Sequence, residues 1–223
     1  MATLTLCAVS DIHERLDWIG PLADTLAAAD WLLLLGDLTQ FGREAQARAV
    51  LAAFRDVNPN IMAVPGNLDH PEVVDVLEAE GVSLHGRHRL LDGVGLAGVG
   101  GSSPTPFHTP FELGEEAIRA LLEPPLAAIA GARHRIVISH APPRGTSVDR
   151  VRFGLHAGST AVRALAEAHQ PHLLLCGHIH EAVGEDRLGP TRVLNPGPFG
   201  RGGHILVEVD GEILTARLVI PPR

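Results

Sequence analysis

Seven side chains with oxygen or nitrogen donors come directly after short apolar runs of the sequence. The runs are typical of strands, and the donors are two carboxylates, one amide and four imidazoles. They are Asp11, His13, Asp37, Asn67, His140, His178 and His180. Because open α/β sheets collect their ligands beyond the carboxyl ends of the strands, we expect these side chains to meet at one edge.

The spacing of the seven candidate ligands also favours a shared site. Residues two apart in an extended segment point to the same side, so Asp11 with His13, and His178 with His180, should each present two ligands in one direction. Seven donors are more than one ion needs when water fills some of its coordination positions, but they suit two ions that share a carboxylate. Two ions about 3.5–4 Å apart can clamp a phosphate group and activate a water molecule.

The strand-like runs alternate with helical patterns up to residue 80. Strands are predicted at 3–9, 31–35 and 61–64, and helices at 15–28, 43–55 and 71–80. This alternation indicates a mostly parallel sheet with helices packed on it. Beyond residue 81 a second sheet is predicted from strand-like runs at 89–91, 94–99, 136–139, 173–176, 192–194, 205–209 and 213–219.

Length and charge narrow the class of protein. The chain has 223 residues, with 18 Lys and Arg against 26 Asp and Glu, and its net charge is −8 with histidine neutral. We expect one domain over residues 1–223, no duplex nucleic acid as partner and no membrane association. The amino terminus lacks a secretory pattern, so a cytoplasmic location is expected. Cys7 and Cys176 lie in apolar runs and are expected to be reduced core residues.

Five short motifs, taken in order, resemble the calcineurin-like metallophosphoesterase superfamily. They are Asp11-x-His13, Gly36-Asp37, Gly66-Asn67, His140 and Gly177-His178-x-His180. The turn Asn195-Pro196-Gly197 is similar to the closing turn of the small bacterial and archaeal members. The resemblance implies an α/β fold, a four-layer α/β/β/α sandwich of two mixed sheets flanked by helices.

The resemblance also implies how two divalent transition-metal ions are held. Asp11, His13 and His180 would hold one ion, Asn67, His140 and His178 the other, and Asp37 would bridge them. Manganese is the ion we expect, with iron, zinc or nickel as alternatives that the donor types equally suit. Asp37, Asn67 and His13 are further expected to act in catalysis.

One position departs from the pattern. Many members of the superfamily have a histidine after the Gly-Asn pair, where it protonates the leaving group, and this chain has Leu68 there. The motif is similar to that of the small phosphodiesterases that lack this histidine. We therefore expect a steep dependence of rate on the leaving group, unless another residue supplies the proton. His70 is a candidate substitute, and its alternative interpretation is a surface residue.

The predicted function is hydrolysis of small or cyclic phosphodiesters, with nucleotide 2′,3′-cyclic phosphates among them, by in-line attack of a metal-bridging hydroxide. Arg144 and His156 are the candidate substrate contacts, because they lie in 141–159, one of two long loops rich in turn residues. The other long loop is 100–111. Two alternatives remain open: a non-catalytic interaction scaffold, like the retromer subunit of this superfamily, and a nuclease subunit. The oligomeric state is not predicted.

Two polar residues near predicted helix starts are candidates for helix caps. Asp69 either caps the helix predicted at 71–80 or supports the ligands, and the cap is favoured. Ser159 is expected to cap a helix that ends near His169.

Overall fold

The computed structural model describes residues 3–222, and within this range the chain forms eleven strands and five α-helices. The strands are β1 (Leu4–Val9), β2 (Trp31–Leu34), β3 (Ile61–Ala63), β4 (Arg87–Leu91), β5 (Val94–Val99), β6 (His134–Ser139), β7 (Leu173–Leu175), β8 (Gly184–Leu188), β9 (Thr191–Asn195), β10 (His204–Asp210) and β11 (Ile213–Val219). The helices are α1 (Ala23–Ala28), α2 (Glu44–Arg55), α3 (Glu72–Ala79), α4 (Glu115–Ala128) and α5 (Thr160–His169).

The first sheet contains three neighbouring parallel strands, and its other two strands are joined to them through antiparallel pairings. Its strands lie in the order β11, β10, β1, β2, β3, with β1, β2 and β3 parallel and β10 antiparallel to β1. The register pairs Val9 with Leu34, and Leu34 with Ala63. The carboxyl ends of the three parallel strands are therefore level, and the residues that follow them emerge at one edge.

The second sheet is also mixed. Its order is β4, β5, β6, β7, β9, β8, in which the four central strands are parallel and β4 and β8 run antiparallel at the two edges. Val99 pairs with Ser139, and Ile138 with Leu175, so β5, β6 and β7 also end at about the same level.

Three apolar layers hold the sheets and helices together. The central layer lies between the two sheets and contains side chains from both, such as Leu6, Leu33, Leu96 and Ile136. A second layer packs α1, α2 and α3 on the outer face of the first sheet, and a third packs α4 and α5 on the second sheet. A fully buried leucine contributes about 1.5–3 kcal/mol. The predicted α/β/β/α sandwich is confirmed.

Three elements of the structure differ from the sequence prediction. The helix predicted at 15–28 is confined to Ala23–Ala28, since Pro21 lacks an N–H and disfavours a helical conformation at Gly20. The residues ahead of it still pack on the core through turns. Helix α4 and strand β8 were not expected, and β8 is an edge strand with a largely polar sequence that lacks a strand pattern.

Two further expectations can be compared with the fold. No helix within residues 3–222 is long and apolar enough to cross a bilayer. Cys7 and Cys176 are both unpaired and buried, as expected. Burial raises the pKa of the Cys7 thiol to about 12, so the group stays protonated and unreactive.

Candidate metal centre

The structure brings the predicted ligands together at the edge where strands of both sheets end. Asp11, Asp37 and Asn67 follow the three parallel strands of the first sheet, while the candidate histidines of the second sheet follow β6 and β7. The donors of Asp11, Asp37 and His140 all lie within 4.8 Å of one another, as do those of Asp11, His13 and His180.

The first group of donors consists of His13, His180 and Asp11. Nε2 of His13 lies 3.1 Å from Nε2 of His180, which lies 3.2 Å from Oδ1 of Asp11. Two ligands about 2.1 Å from one ion, at a right angle, are about 3 Å apart, so this spacing suits neighbouring ligands of a transition metal. The carbonyl oxygen of Thr39 lies 3.4 Å from Nδ1 of His13 and leaves Nε2 for the group.

The second group consists of Asn67, His140 and His178. Nε2 of His140 lies 3.0 Å from Oδ1 of Asn67, and its Nδ1 lies 2.9 Å from the carbonyl oxygen of Leu35. Nδ2 of Asn67 donates a hydrogen bond of 3.1 Å to Oγ1 of Thr109, so the amide oxygen is the atom that faces His140. The ring centroids of His140 and His178 are 5.2 Å apart.

Asp37 lies between the two groups. Its Oδ2 is 3.8 Å from Nε2 of His13 in the first group, and its Oδ1 is 3.5 Å from Nε2 of His140 in the second. One carboxylate thus presents one oxygen to each group. Asp11, which the family resemblance assigns to one ion, also lies close to Asp37 and His140.

The backbone at the site is in an unusual conformation. The φ angle is positive at Asp11 (53°), His13 (49°), Asp37 (49°) and His178 (68°), a region that costs a non-glycine residue about 1–3 kcal/mol. The expectation of extended segments at Asp11–His13 and at His178–His180 is therefore wrong. The donors of Asp11 and His13 still lie within 4.8 Å of each other, because the chain turns sharply at both residues.

Two glycines allow the loops to approach one another. A Cβ atom at Gly66 would overlap the carboxylate of Asp37, and one at Gly177 would overlap the side chains of Ser10 and Asp11. Glycine is required at both positions by the space that the candidate ligands occupy.

Asp69 supports the ligand loops and does not cap the helix that follows. Its buried carboxylate accepts hydrogen bonds from the N–H groups of Leu38 (3.1 Å), Thr39 (2.8 Å) and Gly66 (2.8 Å), and from the hydroxyl of Thr39. Pro71 lies at the start of α3, which has no side-chain cap. The favoured interpretation was wrong, because the turn after Asn67 directs the carboxylate towards the loop that carries Asp37.

Charges within the centre suit a divalent cation. Burial favours neutral forms, but Asp37 and Asp11 outweigh it at His140 and raise the pKa of that imidazole to about 9. Burial also acts on Asp11, where bonding and charge from His180 and His140 hold the pKa of the carboxyl well below its usual range. Burial and the charge of His140 lower the pKa of His178 to about 4. The carboxylates of Asp11 and Asp37 thus favour positive charge within the centre, which a divalent cation would supply.

The centre opens into a cavity of about 860 Å³. Asp37, Asn67, His178 and His180 contribute to its floor, and the loops 100–111 and 141–159 contribute walls. Both predicted substrate contacts, Arg144 and His156, line this cavity together with the candidate ligands. The structure therefore places them where a substrate could reach them.

The loop 141–159 is organised around Asp149, which the sequence analysis missed. Its fully buried carboxylate accepts hydrogen bonds from the N–H groups of Gly145 (3.0 Å), Thr146 (2.9 Å) and Gly158 (3.1 Å). Nδ1 of His156 lies 2.6 Å from its Oδ1. The sequence does hold a signal for it, since Thr146-Ser147-Val148-Asp149 has the spacing of a capping box.

Glu115, at the start of α4, joins the two long loops. Its carboxylate accepts hydrogen bonds from the hydroxyls of Ser103 (2.8 Å) and Ser159 (2.6 Å) and from the N–H groups of Thr160 (3.0 Å) and Ala161 (2.8 Å). Ser159 also accepts a bond from the N–H of Val162, so its predicted cap of α5 is confirmed. No local motif indicates Glu115, because its partners in α5 are 44 to 46 residues away.

His70, the sequence candidate for a proton donor, lies outside the group of residues that line this cavity. Its Nδ1 is 3.2 Å from a guanidinium nitrogen of Arg43, and it lies 3.8 Å from the carboxylate of Glu72. The structure thus favours its interpretation as a surface residue.

The family model described as the calcineurin-like phosphoesterase superfamily domain matches residues 4–206. The chain belongs to this superfamily. An uncharacterized protein of Methanocaldococcus jannaschii is 32% identical over 199 residues, which are 87% of this chain and 88% of that protein. Membership in the superfamily implies phosphoester hydrolysis and the binding of divalent metals, for which the candidate ligands are present.

Solved structures share the fold of this superfamily member. One crystal structure superposes with a TM-score of 0.79 at 18% identity, covering 97% of this chain and 99% of that chain. A crystal structure from Thermus thermophilus superposes with a TM-score of 0.68 at 21% identity, with the same two coverages. The similarity extends over nearly the whole chain.

Proposed function

We propose that the protein is a binuclear-metal-dependent phosphodiesterase that hydrolyses small or cyclic phosphodiesters. The position of Asp37 is the observation that carries this proposal, because one carboxylate presents an oxygen to each of two groups of donors. Asp11, His13 and His180 would hold one ion, and Asn67, His140 and His178 the other. Two divalent ions, manganese being our first choice, supply an activated water and positive charge for the phosphate oxygens.

The chain's own residues orient the substrate. Thr109 holds the amide of Asn67, and the backbone N–H of Leu68 donates to Asp37 at 2.8 Å, so both side chains are fixed before substrate arrives. The exposed Arg144 lines the cavity and can offer a guanidinium to a phosphate oxygen. We propose His156 as the second residue that meets the substrate.

The mouth of the cavity supports a substrate with a flat apolar group, such as a nucleotide. Phe41, Phe107 and Leu155 line it, and their exposed fractions are 57%, 83% and 66%. Large apolar side chains clustered around a polar cleft are typical of a binding surface. Arg152 also lines the cavity, and guanidinium groups and aromatic rings can both stack on nucleobases. A small substrate also agrees with the net charge of −8, which offers duplex nucleic acid no basic face.

A matched pair of substrates tests the proposal. Methyl p-nitrophenyl phosphate and thymidine 5′-p-nitrophenyl phosphate share a leaving group and differ only in the retained group. Protein purified without chelator should contain close to two transition-metal ions per chain, and after loading with Mn²⁺ should cleave both diesters, the nucleoside diester faster. Absence of hydrolysis with Mn²⁺, Fe²⁺, Zn²⁺ and Ni²⁺ alike would leave the protein as a non-catalytic member of its superfamily.

A further inference from the structure

Leu68 leaves the cavity without a proton donor at the position where many members of the superfamily have one. Three histidines line the cavity, namely His156, His178 and His180. The last two are proposed metal ligands, so neither imidazole is free to carry a proton to a substrate. Imidazole is the side-chain type whose ordinary pKa lies near neutrality. His156 is therefore the histidine of the lining that can exchange a proton with a substrate.

We propose that His156, held by Asp149, protonates the leaving oxygen in the proposed phosphodiesterase reaction. The inference rests on that function and adds to it a catalytic residue and a residue that positions it. Its main observation is the 2.6 Å contact between Nδ1 of His156 and Oδ1 of Asp149.

Asp149 is built to hold an imidazole in one orientation. Its carboxylate is fully buried and accepts three backbone hydrogen bonds, from Gly145, Thr146 and Gly158, so it cannot turn away from His156. A charged acceptor at Nδ1 fixes the tautomer that carries a hydrogen there. The second ring nitrogen, Nε2, is then the atom available to the cavity.

The side chains of His156 and Asp149 differ in solvent exposure, as the transfer of a proton from His156 to a substrate requires. The side chain of Asp149 is inaccessible to solvent, whereas that of His156 is 31% exposed and lines the same cavity as Asp37 and His178. Among the residues that the structure describes, no group within hydrogen-bonding distance of Nε2 of His156 competes for it. A purely structural pair would have no need of an accessible ring.

In this reaction, water replaces the leaving group at phosphorus and His156 supplies the proton of the leaving group. The oxygen of a water molecule forms a new bond to phosphorus, and one of its protons passes to solvent. The bond between phosphorus and the leaving oxygen breaks with its electron pair on that oxygen, which takes the proton from Nε2 of the imidazolium of His156. The imidazole regains a proton from solvent, and the products are a phosphomonoester and an alcohol. Leu68 alone predicts that rates depend steeply on the leaving group. With His156 as the proton donor, we expect that dependence to be shallow.

His156→Asn separates a catalytic role from a structural one. Nδ2 of asparagine can replace Nδ1 of histidine in the bond to Asp149, while Nε2 and its proton are lost. With Mn²⁺ loaded, we expect cleavage of methyl p-nitrophenyl phosphate to lose only what the substrate contact contributes, because p-nitrophenolate leaves without a proton. Cleavage of an alkyl diester should fall by about 10² to 10⁴-fold, the usual contribution of a general acid. Tm and metal content should match wild type.

Two further variants complete the experiment. His156→Gln keeps an N–H group that can donate a hydrogen bond but cannot transfer its proton. This variant should therefore lose the alkyl diester activity as well. His108→Asn is the matched control, because His108 is an exposed histidine of the other long loop that does not line the cavity, and its rates should not change.

The results separate this inference from the function on which it rests. Equal losses on both diesters in His156→Asn, no loss on either, or retained alkyl activity in His156→Gln would each overturn the role of His156 while the phosphodiesterase function stands. If wild type cleaves neither diester with any of the metals, the proposed function fails, and the role of His156 fails with it.

Discussion

The backbone N–H of Leu68 donates a hydrogen bond of 2.8 Å to Oδ1 of Asp37. The residue that lacks the expected imidazole therefore still serves the centre, because its main chain orients the carboxylate that lies between the two groups of donors. The position of Asp37 thus depends on the loop that carries Asn67.

Asp37→Asn should abolish turnover without unfolding the protein. The amide removes negative charge from both groups of donors, so we expect the metal content to fall and kcat/KM to drop by well over ten-fold, which is a loss of more than about 1.4 kcal/mol of transition-state stabilisation. Metal analysis, circular dichroism and diester hydrolysis check this. Asp24→Asn, at an exposed position of α1, is the control. A variant that kept more than about a tenth of wild-type activity would rule out Asp37 as the bridge.

Asp69→Ala should destabilise the fold by more than the loss of a helix cap does. Removal of the carboxylate leaves three buried N–H groups without their partner, and each such group costs about 1–3 kcal/mol. We expect urea denaturation to show a loss above about 2 kcal/mol, whereas a lost cap costs about 1 kcal/mol. Asp75→Ala, in the exposed first turn of α3, should have little effect. A loss no larger than that of Asp75→Ala would contradict the supporting role.

Local patterns predict the ligands well because every candidate ligand follows an apolar strand closely. The same patterns fail for Asp69. The direction of its side chain depends on a turn that the spacing of apolar and polar residues does not predict. They also fail for Glu115 and Thr109, because their partners in α5 and at Asn67 lie more than 40 residues away. Contacts of that kind become visible only after the loops have closed over the site.

Arg144→Ala should weaken substrate binding and leave the metal content unchanged. Within the described residues its guanidinium lines the cavity but is not near enough to a carboxylate to form an ion pair, so a phosphate oxygen can take that place. We expect KM for an anionic diester to rise by about ten-fold, since a hydrogen bond to a charged group contributes about 1.5–3 kcal/mol. Arg119→Ala, at an exposed position of α4, is the control. Unchanged kinetics would show that Arg144 is only a solvated loop residue.

Glu115→Gln should lower stability in a pH-dependent way. Partial burial acts to raise the pKa of Glu115, but the bonds from Ser159, Ala161, Ser103 and Thr160 outweigh it and lower that pKa. Ionised Glu115 therefore stabilises the folded state fully above the ordinary glutamate pKa of about 4.3, and this contribution disappears as the pH falls through the lower pKa of the folded protein. The difference in Tm between wild type and Glu115→Gln should shrink below that pH.

The neighbouring residue provides the control for this pH dependence. Glu116 is exposed and takes no part in the bonds to α5, so Glu116→Gln should differ little from wild type at any pH. A Tm difference for Glu115→Gln that stayed constant from neutral to acid pH would show that the charge of Glu115 does not matter.

Leu68→His should rescue the His156→Asn variant while adding little to wild type. Leu68 lines the cavity beside Asn67, so an imidazole there could reach the leaving oxygen from the other side of the substrate. In wild type, His156 already supplies the proton, and we expect a gain on alkyl diesters of less than about three-fold. In His156→Asn the leaving oxygen lacks a donor, and Leu68→His should recover at least about ten-fold of the lost rate. A series of diesters with leaving groups of increasing pKa, run on all four proteins with metal content checked, measures this. Equal gains in both backgrounds would mean that His156 does not supply the proton in wild type.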